Sequence, residues 1–355
     1  MRYLIVQEWD NTKGNHAGMK HMCDLLAEKY PNKYEVIVKS APEQMKRRKN
    51  KIFAKLLYNY DRKKYLDHIR KQYKVEYLQI CKRMFENLRE GDEVFLLEYN
   101  LDEAPQYDLA VHIKKNYPFV KIYALSHLTP SNIKQKKIEK NVILWDEVVD
   151  KELTLGTSLS AYFVEMGIMA SKISTGFHYV DLDYYHPIEK KTNLNDRITI
   201  IAMGNMQRNY KILSSVVSHC PQVNWIICGG ARDLSSMFNA SDNVTIKGYM
   251  NEEELRNQMN LSDVSINVMD DTVGSNVITT SLAMGLALVV TDVGSIRDYC
   301  SDKNAVFCEN TVQSLIQSVN ELAEHADKVK KMGSESLEFS SNLSIENVDA
   351  WFDSL

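Results

Sequence analysis

The chain has 355 residues, of which 44% are hydrophobic, and a formal net charge of −4. This length is comfortable for two domains with ordinary cores, and the charge excludes a protein that is basic throughout. No apolar run approaches the roughly 20 residues needed to span a bilayer. Because the N-terminus leads directly into a strand, we expect no signal peptide.

The cysteines are widely spaced and form no CxxC pair. Most of them lie in apolar runs, as reduced core thiols do, so we expect neither a zinc site nor a disulfide framework. They are Cys23, Cys81, Cys220, Cys228, Cys300 and Cys308. The composition is therefore typical of a cytoplasmic, two-domain α/β protein without a metal ion.

The N-terminal part of the chain opens on an apolar run of strand type, Tyr3–Glu8. A polar loop with two glycines follows at Asn11–Met19, and Met19–Lys29 has helical spacing. A strand, a glycine loop and a helix in this order form a turn that can admit a phosphate or a sugar, or that simply closes a βα unit. From the residues alone both interpretations remain open.

The segment between Lys46 and Arg89 is basic and contains few acids. It includes KRRKNK, DRKK, IRKQYK and CKR, with aromatic and aliphatic residues interleaved. We expect basic amphipathic helices here, as an insertion at about 44–90. Such helices either present a solvated face or dock on an anionic membrane leaflet or a lipid-linked acceptor. Aromatic interleaving also permits nucleic acid, which we discount because the rest of the chain is acidic.

Further strands of the N-terminal half are predicted at Tyr34–Ser40, Asp92–Glu98, Phe119–Ser126 and Glu152–Ser158. The third of these is followed directly by His127. A histidine at the carboxyl end of a parallel strand lies at the crevice where open α/β sheets bind ligands. A purely structural histidine would fit the same position.

The C-terminal half alternates strands and helices after a polar linker, EKKTNLND, at Glu189–Asp196. Its predicted strands are Ile198–Met203, Asn224–Gly230, Val244–Met250, Val264–Met269, Leu286–Thr291 and Ala305–Cys308. Its predicted helices are Ile212–His219, Glu252–Met259, Asn276–Met284, Val312 to about Ala326, and Ile345–Phe352. Asn251 and Glu254 are placed for a capping box. The alternation predicts a second Rossmann-like domain.

The stretch VSINVMDDTVGSNVITTSLAMGLALVVTDVGSIRD, residues 264–298, is the most informative part of the chain. It reads as strand, loop, helix, strand and turn, and the helix is stopped at Gly285. Its loop leads straight into the helix N-terminus at Asn276. Unpaired backbone amides and the positive end of the helix dipole favour a phosphate there.

This stretch resembles the nucleotide-sugar site of GT-B glycosyltransferases, most closely the retaining GT4 group (glycosyltransferases group 1). The chain matches the family pattern at Gly285, Val289, Thr291, Asp292, Val293, Gly294 and, conservatively, Asp298. The two glutamates of the family's E-x7-E motif fall on Thr272 and Thr280. Ile173–Pro187 resembles the family's crossover between domains. The resemblance covers nearly the whole chain, most closely residues 198–300.

The resemblance implies an α/β GT-B fold, in which two Rossmann-like domains with parallel sheets face each other across a cleft. We predict an acceptor-side domain at 1–187, a linker at 188–196 and a nucleotide-sugar domain at 197–335. Residues 336–355 would form a C-terminal helix that packs back on the first domain.

The resemblance also implies the site residues. Gly14 and His16 lie in the family's glycine-rich loop, and His127 would reach the donor sugar. The expected catalytic residues are His127, Arg208 and Asn276. The expected donor-binding residues are Gly14, Gly204, Asn205, Arg208, Lys211, Gly248, Tyr249, Met250, Thr272, Gly274, Ser275, Asn276, Val277 and Thr280. Asn205 stands where the family usually places an arginine, so Arg208 and Lys211 are the cations available for a diphosphate.

The function implied is transfer of a sugar from a nucleotide sugar, UDP- or GDP-linked, to a glycan or lipid-linked acceptor. We expect retention, no metal ion or other cofactor, and a role in bacterial surface polysaccharide synthesis. Asp270 or Asp271 could replace the first missing glutamate. One alternative is a catalytically degenerate GT-B subunit that binds a partner, and another is a non-hydrolysing nucleotide-sugar epimerase. The protein would be cytoplasmic, with peripheral attachment to the inner face of the plasma membrane as an option.

Overall fold

The computed structural model describes the chain except for residues 43–44, 47, 102–105, 189–196, 231–232 and 239–240, and gives only the backbone of 11, 51 and 52. The described residues form two compact units. Unit 1 contains 1–155 and 160–175, and unit 2 contains 156–159 and 176–355. Residues 176–187, which the sequence analysis assigns to the first domain, are grouped with unit 2. Most of the predicted linker, from 189 to 196, lies outside the described residues.

Unit 1 is built on a six-stranded parallel sheet with the order β2-β1-β3-β4-β5-β6. Its strands are β1 (Arg2–Glu8), β2 (Tyr34–Ser40), β3 (Glu93–Leu96), β4 (Lys121–Ser126), β5 (Lys151–Thr154) and β6 (Ile173–Thr175). The adjacent inner strands β1 and β3 are almost wholly buried. Such continuous apolar strands are typical of a parallel sheet with both faces covered.

The helices of unit 1 include the basic segment. They are α1 (Met19–Lys29), α2 (Lys51–Leu56), α3 (Tyr58–Ile80), α4 (Lys82–Asn87), α5 (Tyr107–Asn116), α6 (Pro130–Lys136), α7 (Glu139–Asp146) and α8 (Thr157–Glu165), whose first three residues are grouped with unit 2. Helix α3 buries Ile69, Tyr73 and Tyr77 in the core over β1 and β3. The segment is therefore helical and amphipathic.

Unit 2 repeats the architecture with the order β12-β11-β10-β7-β8-β9, again all parallel. Its strands are β7 (Thr199–Met203), β8 (Asn224–Cys228), β9 (Val244–Lys247), β10 (Val264–Asn267), β11 (Ala287–Thr291) and β12 (Ala305–Cys308). Its helices are α9 (Tyr210–His219), α10 (Glu252–Asn260), α11 (Asn276–Ala283), α12 (Val312–Glu324), α13 (Ala326–Ser340) and α14 (Ile345–Asp353). The predicted capping box of α10 is present.

Helix α13 was not predicted, and the proposed break between 335 and 336 falls inside it. The helix packs closely on the end of α11, since a Cβ built on Gly333 would lie 2.4 Å from the carbonyl oxygen of Gly285. Ser336 Oγ also donates to the Leu286 carbonyl (2.7 Å). That the last helix packs on the N-terminal domain stays a prediction.

All six cysteines are buried and unpaired. In the part of the chain that the structure describes, no helix combines the length and the apolarity that crossing a bilayer requires.

Candidate functional site

The N-terminus of α11 is the centre of the candidate site in unit 2. Ser275 is the N-cap residue, and its side chain makes no capping bond. Within the described chain no hydrogen bond uses the amides of Ser275, Asn276 or Val277. The first backbone N–H groups of a helix need an acceptor from outside the helix, and an anion supplies it well. The predicted phosphate cradle therefore has three amides available.

The fourth amide of the predicted cradle is already used. Gly274 N–H donates to the Thr272 side-chain oxygen (3.1 Å). Gly274 has φ +99°, and a Cβ at this position would lie 2.3 Å from the Tyr299 hydroxyl oxygen. Both the backbone conformation and the close approach of Tyr299 require glycine here. Gly274 therefore shapes the loop that leads into α11.

Arg208 supplies the cation beside this helix. Its Nε donates to the Met203 carbonyl (3.1 Å), Nη1 to the Met206 carbonyl (3.4 Å) and Nη2 to Asn267 Oδ1 (3.2 Å). Burial lowers the pKa of Arg208 to about 10, which leaves the side chain charged at neutral pH. The guanidinium is thus fixed in one orientation by the protein.

Gly204 joins the arginine to α11. A Cβ built on Gly204 would lie 3.2 Å from Val277 Cγ2 and 3.4 Å from Arg208 Nη2. The small residue therefore lets the loop after β7 approach both the guanidinium and the first turn of the helix. The guanidinium and the helix turn that carries the unpaired amides thus both lie beside Gly204, and a cation near unpaired amides is the arrangement that a diphosphate needs.

The loop after β7 is held in register with the loop after β10. Asn209 N donates to the Val268 carbonyl (2.9 Å), and Asp270 N donates to the Gln207 carbonyl (3.0 Å). The residues before and after Arg208 are therefore both hydrogen-bonded to the loop after β10. Gln207 has φ +54°, an uncommon conformation for this residue. The backbone around the arginine is therefore strained locally and secured by strand-like pairing.

A chain of buried polar side chains extends from Arg208 under α11. Asn267, which accepts from the guanidinium, donates through Nδ2 to Ser265 Oγ (3.0 Å). Ser281 Oγ lies 2.9 Å from Ser265 Oγ and donates to the Val277 carbonyl (2.6 Å). Asn267, Ser265 and Ser281 are all fully buried. This network was not predicted, because the three residues read in the sequence as ordinary strand and helix positions.

The two threonines at the positions of the family glutamates are turned to their own backbone. Thr280 Oγ1 donates to the Asn276 carbonyl (2.6 Å), and Thr272 Oγ1 accepts from Gly274. Thr272 and Thr280 are 4% and 6% exposed. In this structure the two hydroxyls hydrogen-bond the backbone of the loop and of α11.

The other carboxylates near the loop are also engaged. Asp270 Oδ1 accepts from Asn209 Nδ2 (3.1 Å) and Asn310 Nδ2 (3.0 Å). Asp271 Oδ1 accepts from the Thr272 amide (2.8 Å). The substitution of either aspartate for the missing glutamate stays a prediction.

The remaining predicted donor residues of unit 2 lie on its surface. Asn205 packs over Gly230, just past the end of β8. A Cβ built on Gly230 would lie 2.5 Å from Asn205 Nδ2. Lys211 is exposed in the first turn of α9, and the segment that follows β9 includes Tyr249, which is 68% exposed. Gly248 and Met250 flank this tyrosine. Their contact with a nucleotide stays a prediction.

Three predicted residues belong to unit 1. Gly14 lies in an exposed turn with φ +77°, and the rings of His16 and His21 lie 4.4 Å apart. His127 Nε2 lies 2.9 Å from the Leu97 carbonyl, and burial lowers the pKa of His127, so the imidazole is neutral at neutral pH. Their roles toward a donor sugar stay predictions.

Asp298, the acid at the end of the family motif, is hydrogen-bonded to Thr157. Its carboxylate accepts from the Thr157 amide (2.6 Å) and the Thr157 hydroxyl (2.8 Å). Next to it, Ser295 Oγ accepts from the Ser158 amide (2.9 Å). These contacts satisfy the first amides of α8, as acidic and hydroxyl groups at a helix N-terminus do.

Comparison with known proteins finds similarity to one family model and to the fold of several solved structures. Residues 197–325 match the family model described as "Glycosyl transferases group 1". The matched residues all lie within unit 2. No curated protein matches the chain.

Solved structures match the whole chain. Sucrose-phosphate synthase from Thermosynechococcus elongatus is 11% identical with a TM-score of 0.73, covering 100% of this chain and 98% of that one. A glycosyltransferase from Rickettsia africae is 14% identical with a TM-score of 0.68, covering 99% and 98%. Anabaena HepE in complex with UDP is 14% identical with a TM-score of 0.70, covering 100% of both chains. These likenesses confirm the GT-B fold and the resemblance to glycosyltransferases.

Proposed function

We propose that the protein is a glycosyltransferase that transfers a sugar from a nucleoside-diphosphate sugar to a hydroxylated acceptor. The observation that carries the proposal is that the Arg208 guanidinium and the first turn of α11, with its unpaired amides, both lie beside Gly204. Charge builds up on the leaving diphosphate during transfer, and preorganised donors at that point are the largest stabilising effect available.

The reaction proceeds with retention and needs no metal ion of its own. The acceptor oxygen bonds to the anomeric carbon while the bond from that carbon to the diphosphate oxygen breaks. The proton of the acceptor hydroxyl passes to the departing diphosphate, so no protein base is required. Arg208 and the amides of Ser275, Asn276 and Val277 take up the developing negative charge. The resemblance to the retaining group supports this stereochemistry.

The acceptor is a glycan or a lipid-linked glycan of a bacterial surface polysaccharide. A lipopolysaccharide outer core galactosyltransferase, WaaB, is among the structures of similar fold, with a TM-score of 0.66 and 13% identity over 100% of this chain and 99% of that chain.

The basic helices α2 to α4 support peripheral attachment to an anionic bilayer, where such acceptors are found. Phe53, Leu56 and Tyr60 are 54%, 74% and 63% exposed on this segment. Exposed apolar side chains among lysines are typical of an interfacial segment.

The test is nucleotide binding by the full chain. UDP, GDP and other nucleoside diphosphates are added separately, and thermal unfolding is followed. We expect one of them to raise the melting temperature and the corresponding sugar nucleotide to be slowly hydrolysed. Arg208→Ala should weaken this binding by about tenfold or more, because one charge-assisted pair is lost. Arg208→Lys keeps a charge but loses the fork of donors, so its effect should be intermediate.

The alternative of a degenerate subunit has one observation in its favour. The hydroxyls at both family glutamate positions, Thr272 and Thr280, are engaged with backbone atoms. Such a subunit would show no stabilisation by any nucleotide and no hydrolysis of any sugar nucleotide. That pair of results would replace the transferase proposal by a partner-binding function.

A further inference from the structure

The cation of the proposed diphosphate site, Arg208, is held by uncharged groups. Its guanidinium donates to two backbone carbonyls and, over 3.2 Å, to Asn267 Oδ1. In the part of the chain that the structure describes, no carboxylate forms an ion pair with it. Burial lowers the pKa of Arg208, because its charge is partly desolvated and no counter-ion compensates for this. The protein therefore orients the cation and leaves its charge for a ligand.

Asn267 is the first member of a chain of hydrogen bonds. Its Oδ1 accepts from Arg208, and its Nδ2 donates to Ser265 Oγ (3.0 Å). Ser265 Oγ and Ser281 Oγ lie 2.9 Å apart, and Ser281 Oγ donates to the Val277 carbonyl (2.6 Å). A hydroxyl can donate and accept at the same time, so all of these bonds can form together. The chain runs without a break from the guanidinium to the first turn of α11.

The three side chains of this network lie where apolar ones would fit. Asn267, Ser265 and Ser281 are all 0% exposed. Ser265 and Asn267 are two positions apart in β10 and share one face of the sheet, and their partners on the neighbouring strand β11 are Leu288 and Val290. Buried polar groups cost free energy unless they are hydrogen-bonded, and apolar side chains of similar shape would avoid that cost. The polar residues therefore serve the groups that they hold in place.

The network connects the two parts of the proposed site. Arg208 comes from the loop after β7, whereas the unpaired amides belong to the N-terminus of α11. A diphosphate can place one phosphoryl group on the guanidinium and the other on the amides, but only if these lie at the correct spacing. A monophosphate has one phosphoryl group and depends less on that spacing. Because buried hydrogen bonds in a network strengthen one another, this chain of bonds keeps the spacing constant.

We propose that Asn267, Ser265 and Ser281 are positioning residues, which hold the Arg208 guanidinium at a fixed spacing from the amides of α11 and so make the site select a nucleoside diphosphate over the monophosphate. The inference rests on the proposed transferase function and deepens it. The three residues touch no ligand and act through the guanidinium and the helix turn. Since they are uncharged, they orient the cation without neutralising it.

Ser281→Ala tests the link, because it removes one hydroxyl and no charge. It should raise the Kd of the nucleoside diphosphate about fivefold and that of the monophosphate less than about twofold, as the loss of one buried hydrogen bond would. Ser318→Ala is the matched control. Ser318 is a buried serine of α12 whose Oγ likewise donates to the carbonyl four residues earlier, that of Ser314 (3.1 Å).

Asn267→Asp tests the charge and decides alone should Ser281→Ala fail to fold. The new carboxylate would pair with the guanidinium, and the Ser265 hydroxyl can donate to it. We expect little change in the melting temperature, whereas the Kd of the diphosphate should rise about tenfold or more, because the carboxylate supplies the negative charge that the ligand would otherwise bring. A purely structural asparagine would show the opposite pattern, with a lower melting temperature and unaltered binding.

Titration calorimetry on the full chain measures binding of UDP, UMP, GDP and GMP, and melting temperatures are recorded on the same samples. We expect the wild-type protein and Ser318→Ala to prefer one diphosphate over its monophosphate. Ser281→Ala and Asn267→Asp should lose most of this preference. An unchanged preference in both variants, or an equal weakening of diphosphate and monophosphate, would show that the network only supports the fold and would overturn the inference.

The same titrations separate this inference from the proposed function. A wild-type protein that binds a diphosphate no more tightly than its monophosphate would overturn the inference and leave the transferase proposal standing. A wild-type protein that binds none of the four nucleotides would reject the transferase proposal, and the inference with it.

Discussion

Most of the hydrogen-bonding capacity of the Arg208 side chain is used within the protein. A guanidinium carries five N–H donors, and three of those of Arg208 are used by Met203, Met206 and Asn267. Two therefore remain for a ligand. The sequence predicts the arginine as the cation of the site, and its contact with a diphosphate stays a prediction. Its buried partner Asn267 could not be predicted, because nothing in a strand sequence indicates which polar residue faces an arginine 59 positions away.

The threonine at position 280 leads to a prediction about the missing glutamate. Thr280→Glu would place a carboxylate in the first turns of α11, where it can accept charge-assisted hydrogen bonds from ribose hydroxyls. Such bonds are about twice as strong as neutral ones. We expect several-fold tighter binding of UDP or GDP, measured by calorimetry. Thr280→Val is the control and should change binding little, since the hydroxyl already donates to Asn276. A large loss in the valine variant would mean that this hydroxyl contacts the nucleotide.

Glu152 gives unit 1 a dependence of stability on pH. The residue is fully buried, and burial, with Asp146 nearby, raises its pKa to about 8. A carboxyl group whose pKa is raised on folding contributes its stability at low pH. That contribution is lost as the pH rises from its ordinary value of 4.5 to about 8, because the unfolded chain ionises first.

Glu152→Gln should therefore flatten the decline of stability between pH 5 and 8. The slope removed is at most about 1.4 kcal/mol per pH unit. Urea unfolding at several pH values measures it, and Glu90→Gln, at an exposed position, serves as the control. An unchanged slope in the Glu152 variant would show that another group titrates.

Among the elements, most of the strands and the helix α11 were predictable, whereas the strand β6 and the helix α13 were not. The apolar runs of β10 and β11 and the stop at Gly285 define one βαβ unit by sequence alone, and Gly285 has the expected positive φ, +67°. By contrast, α13 starts directly after α12 and contains a glycine and several serines in KKMGSESLEFSS, which reads as a loop. Gly333 is tolerated there because α13 must approach the Gly285 carbonyl.

The contact between α13 and α11 can be tested at Gly333. Gly333→Ala would normally favour a helix, but its Cβ would lie 2.4 Å from the Gly285 carbonyl oxygen. We expect a loss of about 1–3 kcal/mol of unfolding free energy through overpacking. Gly248→Ala is the matched control, since a Cβ there meets nothing within 4 Å. A stabilised Gly333→Ala protein would contradict the close approach of these helices.

At the scale of the whole molecule, charge is distributed unevenly. The net charge is −4, yet the stretch from Lys46 to Arg89 contains fifteen lysines and arginines against four acids. Composition alone would have described an ordinary acidic protein, and only the local pattern predicts a basic surface. The structure adds which residues are outward: Lys63 and Lys64 are exposed, whereas Tyr73 and Tyr77 are buried.

This distribution predicts binding to anionic vesicles. We expect the protein to sediment with phosphatidylglycerol vesicles and less with phosphatidylcholine, and more weakly as salt is raised, because each lysine near the surface contributes about 1 kcal/mol. Replacing Lys63 and Lys64 by glutamate should abolish most of this binding. The same change at Lys330 and Lys331, exposed on α13, is the charge-matched control. Equal losses in both variants would indicate a response to net charge only.

The four residues 156–159 determine which fragments of the chain contain all of unit 2. They interrupt the N-terminal stretch of chain, but their partners Ser295 and Asp298 lie in the C-terminal half, and a Cβ on Gly156 would lie 2.3 Å from Ser295 Oγ. A fragment that starts at Gly176 would leave Ser295 and Asp298 without these bonds and open a gap beside the carbonyls of Thr272 and Val273. Anyone wishing to express the C-terminal half by itself should therefore supply this tetrapeptide, as a graft or as an added peptide, since truncation at the apparent boundary removes part of its fold.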